Sequence, residues 1–406
     1  MPLPLWRQRE YMLLWSGQVI TTLGASAAGI IYPLLILSLT GSPAQAAGAT
    51  ALRMVPYLLL SLPVGALIDR WNRRRVMIVC HIGRAIAVAT LPLAMMTGTL
   101  HVDHIYAVAV LEGALHVFFN IAETAALPRV VPASQLPLAT GQNQAGFAAA
   151  LIAGPALGTQ LYQAAGRALP FVVDVAAHLA GALLLWRMRT DFTPAAPRAR
   201  PDLRAEVAEG LRWLLGQRLV RDMALITSVS NFVSAALPLL LIVRAKELGA
   251  SEAQIGLVFS LGGVGAIVGA LVGGHIQRRF GFGQVIVGVL VVQGLLLPLL
   301  LLCPGPLWLG AVYAGLMLMG PVYNVVQFAY RIALIPDALQ GRVNSSFRLV
   351  AHGLHPVGAL LCGWLLEHAG STPAVAVFSV CGVALAAGAA LDKAVRQAPR
   401  MRHGAR

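Results

Sequence analysis

The sequence predicts an all-α integral membrane protein whose twelve transmembrane helices form two six-helix pseudo-repeat bundles. Three observations predict it: the composition, a succession of long apolar runs, and similar segments in the two halves of the chain. Of the 406 residues, 58% are hydrophobic and only 11% charged, and the mean hydropathy is +0.74. A soluble domain carries about 25% charged residues because its surface is wet. This composition therefore indicates a surface that mostly faces lipid.

The distribution of polar residues excludes several other classes of protein. The net charge of +14 would favour a nucleic-acid partner in a soluble protein, but the basic residues lie in short loops between apolar runs. The cysteines are far apart and lack metal-ligand spacing. Lys246 and Lys393, the only lysines, do not belong to a GxxxxGK[ST] phosphate loop. We expect no nucleic-acid partner, no metal or other cofactor, and no enzymatic activity.

A transmembrane helix needs about 20 largely apolar residues to cross the hydrocarbon layer of roughly 30 Å. Twelve runs of the chain meet this requirement, in this order: Met12–Leu37, Ala44–Ile68, Val76–Met96, Ile105–Ala126, Leu138–Ala164, Leu169–Trp186, Met223–Val243, Ile255–Ile276, Gln284–Leu302, Leu307–Ala329, Ser346–Leu366 and Pro373–Leu391.

A proline-containing polar stretch with a charged amphipathic segment, Leu203 to Leu215, separates the sixth run from the seventh. We predict a six-helix bundle over residues 1–190, a cytosolic linker with one amphipathic helix over 191–220, and a second bundle with a basic tail over 221–406.

The basic residues orient the chain. Of the 30 lysines and arginines, three lie in loops on one side, namely Arg167, Arg244 and Lys246, and Arg53 and Arg84 lie within runs. The others lie on the opposite side together with both termini. Because lysine and arginine collect on the cytoplasmic side of a membrane, we expect a multi-pass protein of the bacterial inner (plasma) membrane with both termini in the cytoplasm.

The two halves of the chain repeat one another. The segment Gly-Gln-Asn-Gln-Ala-Gly-Phe at 141–147 corresponds to Gly-Arg-Val-Asn-Ser-Ser-Phe at 341–347, and Gly154-Pro155 corresponds to His355-Pro356. Two six-helix halves in the same orientation form a parallel repeat, in which a substrate site lies near the membrane midplane between the halves.

Three motifs resemble those of a known family, the major facilitator superfamily. The loop after the second run resembles its signature: Gly65-x-x-x-Asp69-Arg70-x-x-Arg73-Arg74. The fifth run is similar to the motif of its antiporter branch: Gly146 followed by Gly154-Pro155-Ala-Leu-Gly158. Asn143-Gln144 and the residues Gly341-Arg342, Phe347 and Pro356-x-Gly358 in and before the eleventh run resemble the macrolide-efflux and siderophore-exporter (transmembrane secretion effector) branch. The resemblance implies the major facilitator fold and a secondary transporter that functions as a monomer.

The same resemblance implies gating roles. Asp69 would tie the second helix to the eleventh in the outward-facing state, with Arg348 or Arg342 as its partner. The basic residues beside it and the small residues of the fifth run also have simpler interpretations, as a cytoplasmic anchor and as a packing face. The gating candidates are Gly65, Asp69, Arg70, Arg73, Arg74, Arg348, Gly146, Gly154, Pro155 and Gly158.

The fourth run departs from the antiporter pattern. Drug exporters of the main antiporter branch resemble one another in an arginine three residues before a Gln-Gly pair. Here that position is Ala109 and the pair is Glu112-Gly113. The coupling residue therefore has to be sought elsewhere.

Ionisable residues inside the runs are the candidates for proton coupling. A charged group at the centre of a membrane helix costs roughly 2.5–3.5 kcal/mol on insertion scales, so it usually faces water or a partner. We expect Glu112 to take up and release the coupling proton under the influence of Arg84 or His116, with Asp174 as the second candidate. The alternative is a static Glu112–Arg84 pair that only joins the third and fourth helices.

Polar residues at helical spacing on the first, fourth, seventh and tenth runs predict a central cavity. The resemblance independently implies a cavity lined by these four helices. Its candidate lining residues, together with an arginine of the second run, are Gln18, Thr22, Arg53, Asn120, Asn231, Asn324 and Gln327.

These observations predict a proton-coupled exporter of a small amphipathic molecule such as a drug, a secondary metabolite or a siderophore. Its partners would be that substrate, protons and membrane lipid. Two alternatives remain open, an uptake permease or lysophospholipid flippase of the same fold, and a non-transporting membrane sensor or assembly partner.

Overall fold

The structure, a computed structural model, describes residues 3–68, 70–192, 203–336, 339–396 and 398. Regular secondary structure within these ranges is entirely helical. The α-helices are, in chain order, α1 (Arg9–Gly29), α2 (Ile31–Thr40), α3 (Pro43–Ile68), α4 (Arg73–Thr97), α5 (Val102–Val130), α6 (Leu136–Ala165), α7 (Leu169–Trp186), α8 (Leu203–Gly216), α9 (Arg218–Glu247), α10 (Glu252–Arg279), α11 (Phe282–Leu296), α12 (Pro306–Leu334), α13 (Gln340–Gly353), α14 (His355–His368), α15 (Ser371–Leu391) and α16 (Lys393–Arg396).

Nine of the twelve predicted apolar runs lie within a single α-helix. Among the described residues, 10 helical spans are long and apolar enough to cross a membrane. The two other predicted runs lie in α3 and α6, which are 26 and 30 residues long. The protein is therefore a multi-pass membrane protein.

Three spans depart from the continuous α-helices that the sequence predicted. The ninth changes from α11 to a 3₁₀-helix over Leu297–Leu301. The first span breaks at Ile30 between α1 and α2, and the eleventh breaks at Leu354 between α13 and α14. Pro356 explains the second break, because proline has no N–H to donate to the carbonyl of His352 one turn earlier.

The exposed side of α4 shows the surface expected in lipid. Val79, Ile82 and Ile86 are exposed at spacings of three and four residues, whereas His81 and Arg84 are buried. An apolar exposed face opposite a polar buried face is the reverse of the pattern in a soluble helix.

The chain separates into two compact units, Met1–Pro201 and Asp202–Arg406. In the first unit α6 and α7 pack on α1, while α5 packs on both α3 and α4. In the second unit α13 and α14 pack on α9, and α10 packs on α12. The amphipathic helix α8 lies against α13, and Glu209 of α8 pairs with Arg342.

Matching glycines show the repeat in the packing. Gly158 of α6 lies directly against the carbonyl oxygen of Ala27 in α1. Gly358 of α14 lies in the same way against the carbonyl oxygen of Phe232 in α9. The fifth and eleventh spans therefore approach the first membrane span of their own unit, α1 and α9, through equivalent glycines, as expected of a pseudo-repeat.

Candidate functional site

A buried glutamate of the first unit holds two arginines. Glu112 of α5 is 1% exposed, and its Oε1 lies 2.8 Å from an Nη2 atom of Arg53 in α3 and 2.8 Å from that of Arg84 in α4. The two arginines differ in their access to solvent, because the Arg84 side chain is 5% exposed and that of Arg53 is 34% exposed. Glu112 thus joins three helices at one carboxylate oxygen.

A glycine brings Arg53 to this carboxylate. Gly113, the residue after Glu112, lies directly against the backbone carbonyl of Arg53, where any side chain would collide. Small residues let membrane helices approach closely. The close crossing of α3 and α5 at Gly113 therefore places Arg53 within reach of Glu112.

The second oxygen of Glu112 has a different partner. The hydroxyl of Tyr32 in α2 donates to Oε2 over 3.1 Å. The Tyr32 ring is itself held by an edge-to-face contact with Phe171 of α7, at 5.2 Å between ring centroids. The break between α1 and α2 separates Tyr32 from the rest of the first span, so this hydroxyl is carried by a short helix of its own.

Asp174 of α7 lies beside the ion-paired cluster and is fully buried. Within the described residues, neither of its carboxylate oxygens has a hydrogen-bond partner. His178, one turn later, places Nε2 3.6 Å from Asp174 Oδ1. His178 also contacts His81 of α4, with 3.1 Å between their Nδ1 atoms.

The ligand atoms of Glu112, Asp174 and His178 lie within 4.8 Å of one another, a spacing compatible with a metal ion. The surroundings oppose this interpretation. Two guanidinium groups already neutralise Glu112, and a divalent cation beside them would meet two like charges. The charges of this cluster therefore do not favour a bound metal ion.

The structure brings together some predicted coupling residues and not others. Glu112 and Arg84 are in direct contact, and Asp174 is next to them. His116 lies one turn beyond Glu112 and is exposed. The roles of all four residues in coupling remain predictions.

Sequence reasoning missed several members of the cluster. It gave no partner for Arg53 and did not single out Tyr32, His81 or His178. Two of these carried a readable signal, since His178 follows Asp174 by four residues and His81 precedes Arg84 by three, the spacings that place side chains on one helix face.

The predicted cavity residues fall in both units. In the first unit, Gln18, Thr22 and Asn120 are half-buried. In the second unit, Asn231 donates to the Ala351 carbonyl over 2.8 Å and so joins α9 to α13, Gln327 is buried and Asn324 is exposed. A cavity lined by these residues stays a prediction.

The predicted gating residues make local contacts. Arg73 donates to the carbonyl of Ala125 over 3.1 Å, and Arg74 donates to that of Leu185 over 2.9 Å, so both hold helix ends within their own unit. Four predicted gating residues remain. Gly65 lies in the last turn of α3, and Arg70, which follows α3, is exposed. Arg348 is exposed in α13, and Asp69 lies outside the described residues.

The glycines of α6 fit closely against α1. A Cβ at Gly146 would lie 2.6 Å from a methyl group of Val19, and Gly154 lies directly against Ser26. Pro155 stands inside α6, which continues through it. These contacts establish a packing face, and its gating role is still a prediction.

The sequence matches the family described as transmembrane secretion effector over residues 2–403. A relative, the multidrug efflux pump Tap of Mycolicibacterium fortuitum, is 23% identical over 351 residues, covering 84% of this chain and 85% of that protein. Among solved structures, a bacterial homologue of the human lysosomal transporter Spinster superposes with a TM-score of 0.73 at 15% identity, covering 96% of this chain and 97% of that one. The nucleoside transporter NupG superposes with a TM-score of 0.76 at 11% identity, covering 94% and 98%.

The two structural likenesses establish the fold, which is that of the major facilitator transporters. The family match extends over nearly the entire chain and agrees with the motifs in the second, fifth and eleventh spans. The chain therefore belongs to the transmembrane secretion effector family of the major facilitator superfamily.

Proposed function

We propose that the protein is a proton-coupled exporter of a small amphipathic molecule, placed in a bacterial inner membrane with both termini in the cytoplasm. The observation that carries the proposal is a buried carboxylate whose two arginine partners come from different helices. The name of the Tap relatives, multidrug efflux pump, supports export and drugs as a substrate class.

Protonation of Glu112 changes its interactions. The charged carboxylate attracts both Arg53 and Arg84 in a site where water screens little. A neutral carboxyl group loses most of that attraction, and Arg53, which reaches the surface of the unit, is then free to turn toward another anion. The proton thereby switches the contacts between α3 and α5.

Alternating access would use this switch. In the proposed cycle, residues 1–190 rock against residues 221–406, and substrate release alternates with proton binding at Glu112. A ligand shifts such an equilibrium only by its differential affinity for the two states. Here the proton provides that difference, because it weakens an ion pair present in only one protonation state.

A static role for the cluster is the competing interpretation, since a buried ion pair also joins helices. The two roles differ in consequence. A static pair is needed for folding and has no effect on which gradient drives transport, whereas a coupling carboxylate is needed for proton-driven transport even when the protein is folded.

The decisive experiment uses everted membrane vesicles that acidify their interior by respiration, with a dye that reports the pH difference. A panel of macrolides, cationic dyes, catecholate siderophores and lysolipids is added to vesicles carrying the wild type, Glu112→Gln or Asp103→Asn. Asp103 is the matched control, because it is an exposed acid in the first turn of the same helix.

We expect one compound class to collapse the gradient with the wild type and with Asp103→Asn, but not with Glu112→Gln at equal amounts of folded protein. A response that persists in Glu112→Gln would remove Glu112 from coupling. No response to any compound in the wild type would contradict proton-coupled export itself.

A further inference from the structure

A chain of buried polar groups continues from the glutamate site along α7 and α4. Asp174 and His178 are 0% exposed and His81 is 1% exposed. The gap between Asp174 Oδ1 and His178 Nε2 is 3.6 Å, and the two Nδ1 atoms of the histidine pair are 3.1 Å apart. The proposed coupling mechanism uses neither histidine.

The contact between the histidines restricts their protonation. When two Nδ1 atoms share one hydrogen bond, one imidazole donates and the other accepts. If His178 donates, its Nε2 carries a lone pair toward Asp174, which can then be a protonated acid. If His178 accepts, its Nε2 carries a hydrogen toward Asp174, which can then be a carboxylate.

These two arrangements differ by the movement of protons along one line. We propose that Asp174, His178 and His81 form a proton relay that connects the Glu112 site with the end of the unit where α4 begins and α7 ends. The inference rests on the proposed proton coupling. The relay closes when Asp174 turns to bring its carboxyl group within hydrogen-bond distance of His178 Nε2.

The bonds and protons of the proposed transfer balance. The O–H bond of Asp174 breaks and an N–H bond forms at Nε2 of His178, while the Nδ1 proton of His178 passes to Nδ1 of His81. His81 is then an imidazolium ion and releases its own Nε2 proton to a water molecule at that end of the unit, which restores a neutral ring and leaves a hydronium ion. One proton enters at Asp174 and one leaves at His81, with no change in oxidation state.

The charges around the two histidines favour transfer of the proton along the line over a histidine that stays protonated. Arg84 lies one turn beyond His81 on α4, and its positive charge opposes lasting protonation of either histidine. The other charged or titratable groups that face this line are Glu112 from α5, Arg53 from α3 and Tyr32 from α2, while α1 contributes Gly24 and Thr21.

Gly181 packs closely against His81 at the far end of the line. A Cβ at Gly181 of α7 would lie 3.0 Å from Nε2 of His81 and 2.8 Å from a methyl group of Thr21. Gly181 is one turn beyond His178 in the direction of the end of α7. That end is bound to the start of α4 by Arg74, so His81 Nε2 points toward the side on which the basic loops lie.

A purely structural role explains the cluster poorly. A buried carboxylate without hydrogen bonds is costly, and apolar side chains of similar size would pack between α4 and α7 without that cost. Phe119 already packs on the His81 ring, at 4.5 Å between centroids.

The test compares His178→Gln, His81→Gln and the control His104→Gln. His104 is bonded to Thr90 near the opposite end of α4 and has no place in the relay. Proton-driven transport in reconstituted vesicles should fall at least about tenfold with either relay variant. Substrate binding, and exchange of labelled substrate without a proton gradient, should stay at the level of the wild type and of His104→Gln.

Infrared difference spectra of the purified protein between acidic and alkaline buffer provide a readout that does not require transport. We expect a carboxyl band that disappears in Asp174→Asn and titrates at a different pH in His178→Gln. A band that is absent from the wild type, or that His178→Gln leaves unchanged, would overturn the relay.

Glu112→Gln measured in parallel separates this inference from the proposed function. If it loses proton-driven transport while both histidine variants keep the wild-type rate, the relay is wrong and Glu112 coupling stands. If it keeps that transport while the histidine variants lose it, the relay stands and the coupling site moves from Glu112 to Asp174.

Discussion

At the scale of single residues, the site depends on which side chains meet across helices. Spacing along the sequence gave the depth of Glu112 in its helix and pointed to Arg84. It did not reveal Arg53 as a second partner, because the depth of a residue on one helix does not determine its neighbour on another. That neighbour is set by the crossing at Gly113, which becomes visible only when two helices are packed together.

The first prediction concerns the stability of the charge cluster. Glu112→Ala leaves two guanidinium groups without their carboxylate, and removal of one partner of a buried ion pair costs about 3–5 kcal/mol. Arg53→Gln should cost clearly less, because Arg53 is partly exposed and Arg84 still pairs with Glu112. Thermal unfolding of the purified variants in detergent measures the difference.

A double variant provides the control. Glu112→Ala combined with Arg84→Met removes the more deeply buried positive charge and should recover part of the stability lost by Glu112→Ala alone. Adding Arg53→Gln instead should recover less. Equal recovery by the two would contradict the assignment of Arg84 as the desolvated partner.

At the scale of secondary-structure elements, glycines determine which helices touch. The apolar runs and the loops between them predicted the helices correctly, since a membrane helix must satisfy its own backbone. The breaks at Ile30 and Leu354 were not predicted, although the sequence shows Pro356 two residues after the second break. Proline is tolerated inside other helices of this protein, such as α6 and α12, so its presence alone does not locate a break.

The second prediction concerns the matching glycines of the two units. Gly158→Ala places a methyl group against the Ala27 carbonyl, and Gly358→Ala places one against that of Phe232. Overpacking of this kind typically costs about 1–3 kcal/mol, so both variants should yield less folded protein in fluorescence-detected gel filtration.

Gly141→Ala and Gly388→Ala are the matched controls, because each position has open space around its Cα. Alanine is a better helix former than glycine by about 1 kcal/mol, so these variants should be as stable as the wild type or slightly more stable. Tolerance of alanine at Gly158 together with loss at Gly141 would contradict the packing described for α6.

At the scale of the whole molecule, the composition and the repeat were sufficient to predict a membrane protein of two helical bundles. They were sufficient because both are averages over many residues and do not depend on any one contact. The substrate class is decided by a few side chains around a cavity, and apolar periodicity along the chain carries no information about their mutual positions.

The third prediction concerns orientation in the membrane. The asymmetric distribution of arginine predicts that the loop after α4 lies outside the cell and that the junction of α8 with α9 lies in the cytoplasm. A membrane-impermeant maleimide added to intact spheroplasts should therefore label Thr99→Cys and leave Gln217→Cys unlabelled. Both positions are exposed, and the native cysteines are buried or half-buried. The reverse pattern would invert the proposed topology.

The unequal use of the two oxygens of Glu112 has a consequence for Glu112→Gln. Oε1 already accepts from two guanidinium groups, so an added proton belongs on Oε2, where the Tyr32 hydroxyl must turn from donor to acceptor. A glutamine amide reproduces this arrangement, with its oxygen toward the arginines and its NH₂ toward Tyr32. Glu112→Gln is thus a permanent mimic of the protonated carrier, and a structure of that variant would show the conformation that proton binding selects.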